Sequence, residues 1–184
     1  MQLITHLVHE SLSGHDFSNP EPGAVPHLRI LERDAARAIV RQEGKLLLMF
    51  TERYNDFSFP GGGIDPQECQ ITALKRELSE ETGARRIQVL EPYGLVTEFM
   101  PTWKPEFDVM FQRSFWYHCA VASELGAAKL EDYEKRNGMR AMWVSPQEAL
   151  AHNRSIIQQR PANMGVSIHR ETLVLERICR EGGG

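Results

Sequence analysis

The feature that most constrains this chain is a group of three glutamates placed shortly after a glycine-rich loop. The loop spans residues 59–63, and the acids are Glu77, Glu80 and Glu81. At about 100° of rotation per residue, the three carboxylates share an arc of about 100° within one helical turn. Hard divalent cations prefer carboxylate and carbonyl oxygens, and magnesium often combines few protein ligands with substrate phosphates. The spacing therefore predicts a cation site that faces a phosphate chain.

An apolar stripe next to these acids makes a purely solvated acidic face less favourable. Ile71, Leu74 and Leu78 fall on the neighbouring side of the same helix. Like charges four residues apart cost about 0.2–0.5 kcal/mol when exposed, and more beside a core unless a cation neutralises them. A water activated by such a cation needs a proton acceptor, and Glu77 or Glu80 could take that role. A solvated helix face is the alternative.

The start of this helix decides whether Glu68 can join the site. Residues 65–68 read Asp-Pro-Gln-Glu, which is typical of a capping box with proline at the first helical position. In one continuous helix, however, Glu68 would lie about 180° away from Glu77 and about 13 Å along the axis. We favour a helix that begins after Glu68, within residues 69–71.

The fixed spacing of these residues resembles the signature of the Nudix hydrolase superfamily. Every fixed position of that box is filled, by Gly62, Glu68, Arg76, Glu77, Glu80, Glu81 and Gly83. Leu78 fills the first aliphatic position, whereas Ala84 is smaller than usual at the last one. Flanking segments extend the resemblance over about residues 34–180.

The resemblance implies an α/β fold, namely an α/β/α sandwich around a mixed β-sheet, in which the box forms a loop, a helix and a second loop. It implies magnesium- or manganese-dependent hydrolysis of a nucleoside diphosphate linked to another group. The implied metal ligands are Glu77, Glu80, Glu81 and the Gly61 carbonyl. Structural support of the site would come from Gly62, Glu68 and Arg76.

Other residues are candidates for substrate contact or for the catalytic base. The candidate substrate contacts are Arg53, Phe59, Trp103 and Arg113, with Phe107 and Phe111 as further aromatic residues. Arginines can pair with phosphate and aromatic rings can stack on a base, although core packing or plain exposure is the alternative. Family members often supply a late acid, here Glu131, Asp132 or Glu134. No acid precedes the tryptophan of the next strand, which favours a box glutamate as the base.

The substrate is the least constrained part of the prediction. In the family, a proline about 16 residues beyond the box accompanies cleavage of ADP-ribose, and here Pro101 lies close to that position. Residues 100–103 contain no tyrosine of the kind typical of dinucleoside polyphosphate hydrolases. We therefore expect an ADP-sugar, with a nucleoside triphosphate, or a catalytically silent nucleotide-binding module, as alternatives.

Composition is consistent with one domain over residues 1–184 that acts on small molecules. The chain has 184 residues and a formal net charge of −4, without the basic stripe expected of nucleic-acid binding. No signal peptide or apolar run long enough to span a membrane is visible, so we expect a cytoplasmic protein that binds no membrane. The separated cysteines Cys69, Cys119 and Cys179 are expected to be reduced. Relatives commonly form homodimers, but the sequence contains no interface signal.

Hydrophobic and turn patterns predict the order of the elements. Residues 1–35 are expected to form a leader with a short strand over residues 3–8. A hairpin is expected over 36–41 and 45–51, a broken strand over 87–96, a loop over 100–108 and a strand over 109–122. A charged loop should span 130–138, followed by a strand over 139–144 and helices over 145–152 and 170–180. The glycines at 182–184 are expected to fray.

Overall fold

The structure is a computed structural model that describes residues 1–12 and 14–182. The predicted fraying of residues 182–184 lies outside this range, except for Gly182. The Gly182 N–H donates to the Ile178 carbonyl and so caps the last helix. None of the described helices is long and apolar enough to cross a membrane. The strands are β1 (Leu3–Val8), β2 (Ile30–Gln42), β3 (Lys45–Thr51), β4 (Asp56–Ser58), β5 (Gly61–Gly63), β6 (Gln88–Met100), β7 (Val109–Ala120) and β8 (Met139–Val144). The helices are α1 (Gln70–Thr82), α2 (Asp132–Arg136), α3 (Pro146–Gln159) and α4 (Ile168–Glu181).

The strands form one mixed sheet, as predicted. Its order is β1-β6-β7-β2-β3-β4, with β5 paired to β2 and β8 paired to β3. The β1–β6 and β2–β7 pairs are parallel, whereas β6–β7 and β3–β8 are antiparallel. β2 and β3 meet at a two-residue turn in which Glu43 and Gly44 both have positive φ, the backbone that a tight hairpin requires.

Helices cover both faces of the sheet, which confirms the predicted sandwich. Successive side chains of a strand point to opposite faces. On β3, Leu47 packs with Leu74 and Leu78 of α1, whereas Leu46 and Leu48 join the cluster that includes side chains of α3 and α4. The glutamates of α1 therefore lie at the edge of a well-packed layer.

The local conformation explains where α1 begins and ends. Gln67 has a φ of 71°, which no helix accommodates, so the capping-box start at Pro66 does not form. The helix instead begins at Gln70, in agreement with the later start, and the Ala73 N–H binds the Cys69 carbonyl. The helix ends at Thr82. Gly83 follows in the left-handed backbone conformation and caps the helix, because its N–H donates to the Ser79 carbonyl.

Several elements differ from the sequence prediction. β2 begins at Ile30, inside the expected leader, because Ile30–Val40 pairs with the distant strand β7. β6 is continuous to Met100, with register shifts at Pro92. The expected charged loop contains α2, and α3 runs on to Gln159. The leader contributes β1 to the sheet edge, while its Phe17 packs on Phe99.

Candidate active site

The β5 loop and α1 are joined by a buried hydrogen bond at the centre of the box. The Gly61 N–H donates to Glu81 Oε2 at 2.7 Å, and Glu81 is only 5% exposed. Gly61 has a φ of 133°, and a Cβ there would collide with the Ala36 carbonyl of β2. Glycine is therefore required for the loop to lie between β2 and α1.

Gly62 brings the backbone of the loop against the carboxylate of Glu77. A Cβ on Gly62 would overlap the Glu77 carboxyl group. Arg76 Nη1 donates to Glu77 Oε1 at 2.7 Å from the other side. The Glu77 carboxylate is consequently held between the loop and a guanidinium group.

Arg76 connects most of the acids of the box. Its guanidinium lies within 4.0 Å of carboxylate oxygens of Asp65, Glu68, Glu77 and Glu80. The bond to Glu68 is two-pronged, at 3.1 and 2.9 Å, and Nη2 also donates to the Gly63 carbonyl at 3.3 Å. Glu68 thus contacts the loop and helix through Arg76, which is consistent with the support that the resemblance implies for both residues.

Arg37 on β2 lies behind the loop. Its Nη1 donates to the Phe59 carbonyl at 3.3 Å and also to the Gly61 carbonyl. Its Nε is buried without a hydrogen-bond partner among the described residues. The carbonyl expected to bind metal therefore accepts a hydrogen bond from a cation of the protein itself.

Burial and mutual repulsion favour the protonated forms of two of the acids. Burial raises the pKa of Glu81 to about 8, opposed by Arg37 and the Gly61 N–H, and the charges of Glu77 and Glu134 raise it further. Burial also raises the pKa of Glu77, although Arg76 opposes this. Carboxylates in such surroundings gain stability from a nearby cation.

The donor set at this site fits a hard divalent cation by its chemistry. Carboxylate oxygens of Glu77, Glu80 and Glu81 and the Gly61 carbonyl are ligand types that magnesium and manganese accept. Within residues 1–12 and 14–182, no three or more His, Cys, Asp or Glu side chains are arranged as a metal site. Instead, the guanidinium groups of Arg37 and Arg76 lie among these oxygens.

A cavity of about 480 Å³ opens beside the box. Its walls include box residues and charged and aromatic side chains, among them Arg33, Gly63, Arg76, Glu77, Trp103, Lys104, Glu131 and Tyr133. This volume lies within the range of small-molecule sites. Arg33 lies over Gly63, since a Cβ on Gly63 would be 3.1 Å from Arg33 Nη2.

Of the four candidate substrate contacts, Trp103 lines the cavity, whereas Arg53, Phe59 and Arg113 do not. Trp103 is 64% exposed, and its ring centroid lies 6.0 Å from the Arg33 guanidinium carbon. Phe59, by contrast, is 1% exposed and packs edge-on against Trp116, so its ring is unavailable for stacking. Arg53 lies outside the cavity wall and donates to Asn137 at 3.1 Å. Of the other aromatic candidates, Phe111 is buried and Phe107 is half-buried.

Arg113 pairs with acids of the neighbouring strand. Its Nε donates to Asp34 at 2.6 Å, and Glu32 lies 3.6 Å away. These partners explain the raised pKa of Arg113. Its charge is already compensated, so a phosphate role for Arg113 stays a prediction without geometric support.

The three late acids occupy different environments. Asp132 points to solvent with an 88% exposed side chain, next to Lys135. Glu131 is exposed and lines the cavity. Glu134 is buried near Glu81, but it accepts from the Glu131 N–H at 2.7 Å and from the Tyr133 hydroxyl at 3.1 Å. Glu134 is therefore the late acid nearest the box, and it is held as a helix cap.

Sequence reasoning missed Arg33 and Arg37. Both lie on β2, and their spacing of four along a strand places them on one face. Two basic residues at even spacing within one strand were the available signal.

The NUDIX domain family profile matches residues 31–163, which is most of the chain. The chain belongs to the NUDIX family. It is 27% identical over 123 residues to the CTP pyrophosphohydrolase of Escherichia coli strain K12, an alignment that covers 65% of this chain and 80% of that protein. It is 49% identical over 47 residues to YtkD of Bacillus subtilis strain 168, which is provisionally named an 8-oxo-dGTP diphosphatase, but this covers 26% of the chain and only 29% of YtkD.

A solved Nudix hydrolase from Nitrosomonas europaea has a similar fold. The TM-score is 0.50 at 24% identity, and the match covers 66% of this chain and 77% of that structure. The expected Nudix hydrolase fold is thereby confirmed. Nudix hydrolases generally use divalent metals, which agrees with the oxygen donors of the box.

Proposed function

We propose that this Nudix hydrolase cleaves the phosphoric anhydride bond of a nucleoside triphosphate, with Mg²⁺ or Mn²⁺ held by Glu77, Glu80, Glu81 and the Gly61 carbonyl. The cavity beside the box carries this proposal, because its wall joins box residues to basic and aromatic side chains. The 27% identity with a CTP pyrophosphohydrolase supports the substrate class.

The bound cation would supply Lewis-acid activation of water and neutralisation of phosphate charge. The residues of this chain perform the remaining tasks. Glu77 and Glu80 are the proposed acceptors of the proton of the attacking water, since both carboxylates contact Arg76 and Glu77 lines the cavity. Arg76, Glu68 and Gly62 hold these carboxylates in place, and Trp103 offers an exposed ring for a nucleobase.

An ADP-sugar is the second candidate substrate. The observation in its favour is Pro101, which opens the exposed loop between β6 and β7 that also carries Trp103. The two classes yield different products. Cleavage of a nucleoside triphosphate next to the α-phosphorus releases a nucleoside monophosphate and pyrophosphate, whereas cleavage of ADP-ribose releases AMP and ribose phosphate.

The test is product release from CTP, dCTP, 8-oxo-dGTP, ATP and ADP-ribose, each with Mg²⁺, with Mn²⁺ and with a chelator. We expect pyrophosphate release from at least one triphosphate, and we expect the chelator to abolish it. Turnover of ADP-ribose alone would replace the triphosphate by the ADP-sugar. No turnover, with a nucleotide still raising the melting temperature, would indicate a silent binding module.

A further inference from the structure

Arg33, like Arg37 on the same strand, contacts only neutral hydrogen-bond partners within the described residues. Its Nη1 donates to the neutral amide oxygen of Gln112 at 2.6 Å. Arg76, Arg113 and Arg170 each contact at least two carboxylates. Within the described residues, Arg33 forms no ion pair, so its charge is oriented but not neutralised.

The orientation of Arg33 comes from two neutral side chains of β7. Gln112 is 2% exposed and Ser114 is fully buried. The Gln112 amide nitrogen donates to Ser114 Oγ at 3.0 Å, which directs the amide oxygen towards Arg33. A guanidinium held in this way loses little further conformational freedom when it binds a ligand.

The position of Arg33 makes an anion in the cavity its natural partner. The guanidinium lies on Gly63 of the β5 loop and lines the cavity that also contains Glu77 and Lys104. Burial, together with the charges of Arg37 and Arg170, lowers the pKa of Arg33, although Tyr133 and Glu77 oppose this shift. A further anion in the cavity would favour the charged form of Arg33. A planar guanidinium has five N–H donors, of which Gln112 uses one.

We propose that Arg33 binds the phosphate chain of the substrate, and that Gln112 and Ser114 are the residues that position it. This inference rests on the proposed function for the identity of the ligand, but it concerns a residue outside the box. The fork geometry suits two oxygens of one or of adjacent phosphate groups. Trp103, whose ring centroid lies 6.0 Å from the Arg33 guanidinium carbon, is then available for the nucleobase.

Calorimetric binding of inorganic tripolyphosphate and of cytidine, with and without Mg²⁺, separates the phosphate from the base. We expect Arg33→Gln to weaken tripolyphosphate binding by about 10-fold or more and to leave cytidine binding unchanged. Arg33→Lys should recover part of the loss, because it restores the charge without the fork. The tripolyphosphate affinity of Gln112→Leu should lie between that of Arg33→Gln and that of the unmodified protein.

Arg29→Gln is the matched control, since Arg29 precedes the same strand and pairs with Asp108 at the surface. It should bind both ligands as the unmodified protein does. The inference would be overturned if the unmodified protein did not bind tripolyphosphate, or if Arg33→Gln bound it equally well. A variant that lost only cytidine binding would also overturn it.

The two proposals fail separately. Tripolyphosphate binding through Arg33 without nucleotide turnover would reject only the proposed function, and turnover with unaltered binding in Arg33→Gln would reject only this inference.

Discussion

Two of the groups of acids and arginines in this molecule differ in how far they are buried from solvent. On α4, Arg170 is 2% exposed and contacts the buried carboxylates of Glu98 and Glu171. On α1, Arg76 faces four carboxylates, and its side chain is 30% exposed. We call the first the closed cluster, and the second, together with Glu81, the open cluster.

The closed cluster has a structural role that reaches the box. Glu171 Oε1 accepts from Arg170, and Glu171 Oε2 accepts from the Phe59 N–H at 3.0 Å. Phe59 leads into the Gly61 loop, whose N–H contacts Glu81. The closed cluster therefore fixes the loop from one side, whereas the open cluster reaches the cavity through Asp65, Arg76 and Glu77. Burial limits the closed cluster to a supporting role, whereas contact with the cavity leaves charges of the open cluster within reach of a ligand.

Breaking the closed cluster should have the largest effect on stability. Arg170→Met leaves two buried carboxylates without their cation, and removal of one partner of a buried pair costs about 3–5 kcal/mol. Urea denaturation would measure the loss. Arg154→Met is the control, because the Arg154–Glu176 pair is exposed and should contribute about 1 kcal/mol or less. Equal losses in the two variants would contradict a supporting role for the closed cluster.

Neutralising the buried acid of the open cluster should instead reduce activity. Glu81→Gln keeps an oxygen for the Gly61 N–H but loses the charge, so we expect at least about a 100-fold lower rate, or about 2.7 kcal/mol. Steady-state kinetics with the substrate found in the panel would measure it, and circular dichroism would confirm the fold. Unchanged activity in the purified variant would remove Glu81 from the site.

A smaller change tests the position of one carboxylate in the open cluster. In Gly62→Ala the new Cβ overlaps the end of the flexible Glu77 side chain, which must move while the backbone stays. We expect a rate about 10- to 100-fold lower with little change in melting temperature. Gly23→Ala is the matched control, since no atom lies within 4 Å of a Cβ there. Full activity in Gly62→Ala would show that the Glu77 position does not matter.

The smallest effect concerns Asp56, beside the closed cluster. Burial, with a contribution from Glu171, raises the pKa of Asp56 from an ordinary value of 3.8 to about 7. The folded state therefore binds the Asp56 proton more tightly than the unfolded state does. The resulting stabilisation is complete below about pH 4 and is lost as the pH rises to about 7. Asp56→Asn should remove this pH-dependent loss of stability, because asparagine does not ionise.

The melting temperature of Asp56→Asn relative to the unmodified protein should accordingly rise by several degrees as the pH increases from 4.5 to 8. Thermal denaturation across this range would measure it. Glu106→Gln, at an exposed position, should leave the pH profile unchanged. A constant difference between Asp56→Asn and the unmodified protein at every pH would show that Asp56 is charged throughout.

Local spacing predicted the box helix, whereas the sandwich was implied by the resemblance of the box to the Nudix signature. The start of α1 at Gln70 is a feature that short-range spacing could predict. The start of β2 at Ile30 could not be predicted, since it depends on pairing with β7 from a distant part of the chain. The helix α2 was missed because five residues carry too little periodicity.

The grouping of the acids was predictable because they share one helix, whereas neighbours brought together by strands were not predictable. Glu77, Glu80 and Glu81 follow from spacing alone, but the burial of Phe59 against Trp116 does not. The same holds for Arg33 and Arg37, whose neighbours on the Gly61–Gly63 loop are set by the β2–β5 pairing.

Direct titration of Mn²⁺ by calorimetry tests most directly whether the open cluster is the cation site. We expect the unmodified protein to bind Mn²⁺, and we expect Glu77→Gln combined with Glu81→Gln to weaken binding by at least about 10-fold. Glu176→Gln, which changes an acid of α4 at the surface pair with Arg154, should bind as the unmodified protein does. Equal Mn²⁺ affinity in all three proteins would contradict the assignment of the open cluster as the metal site.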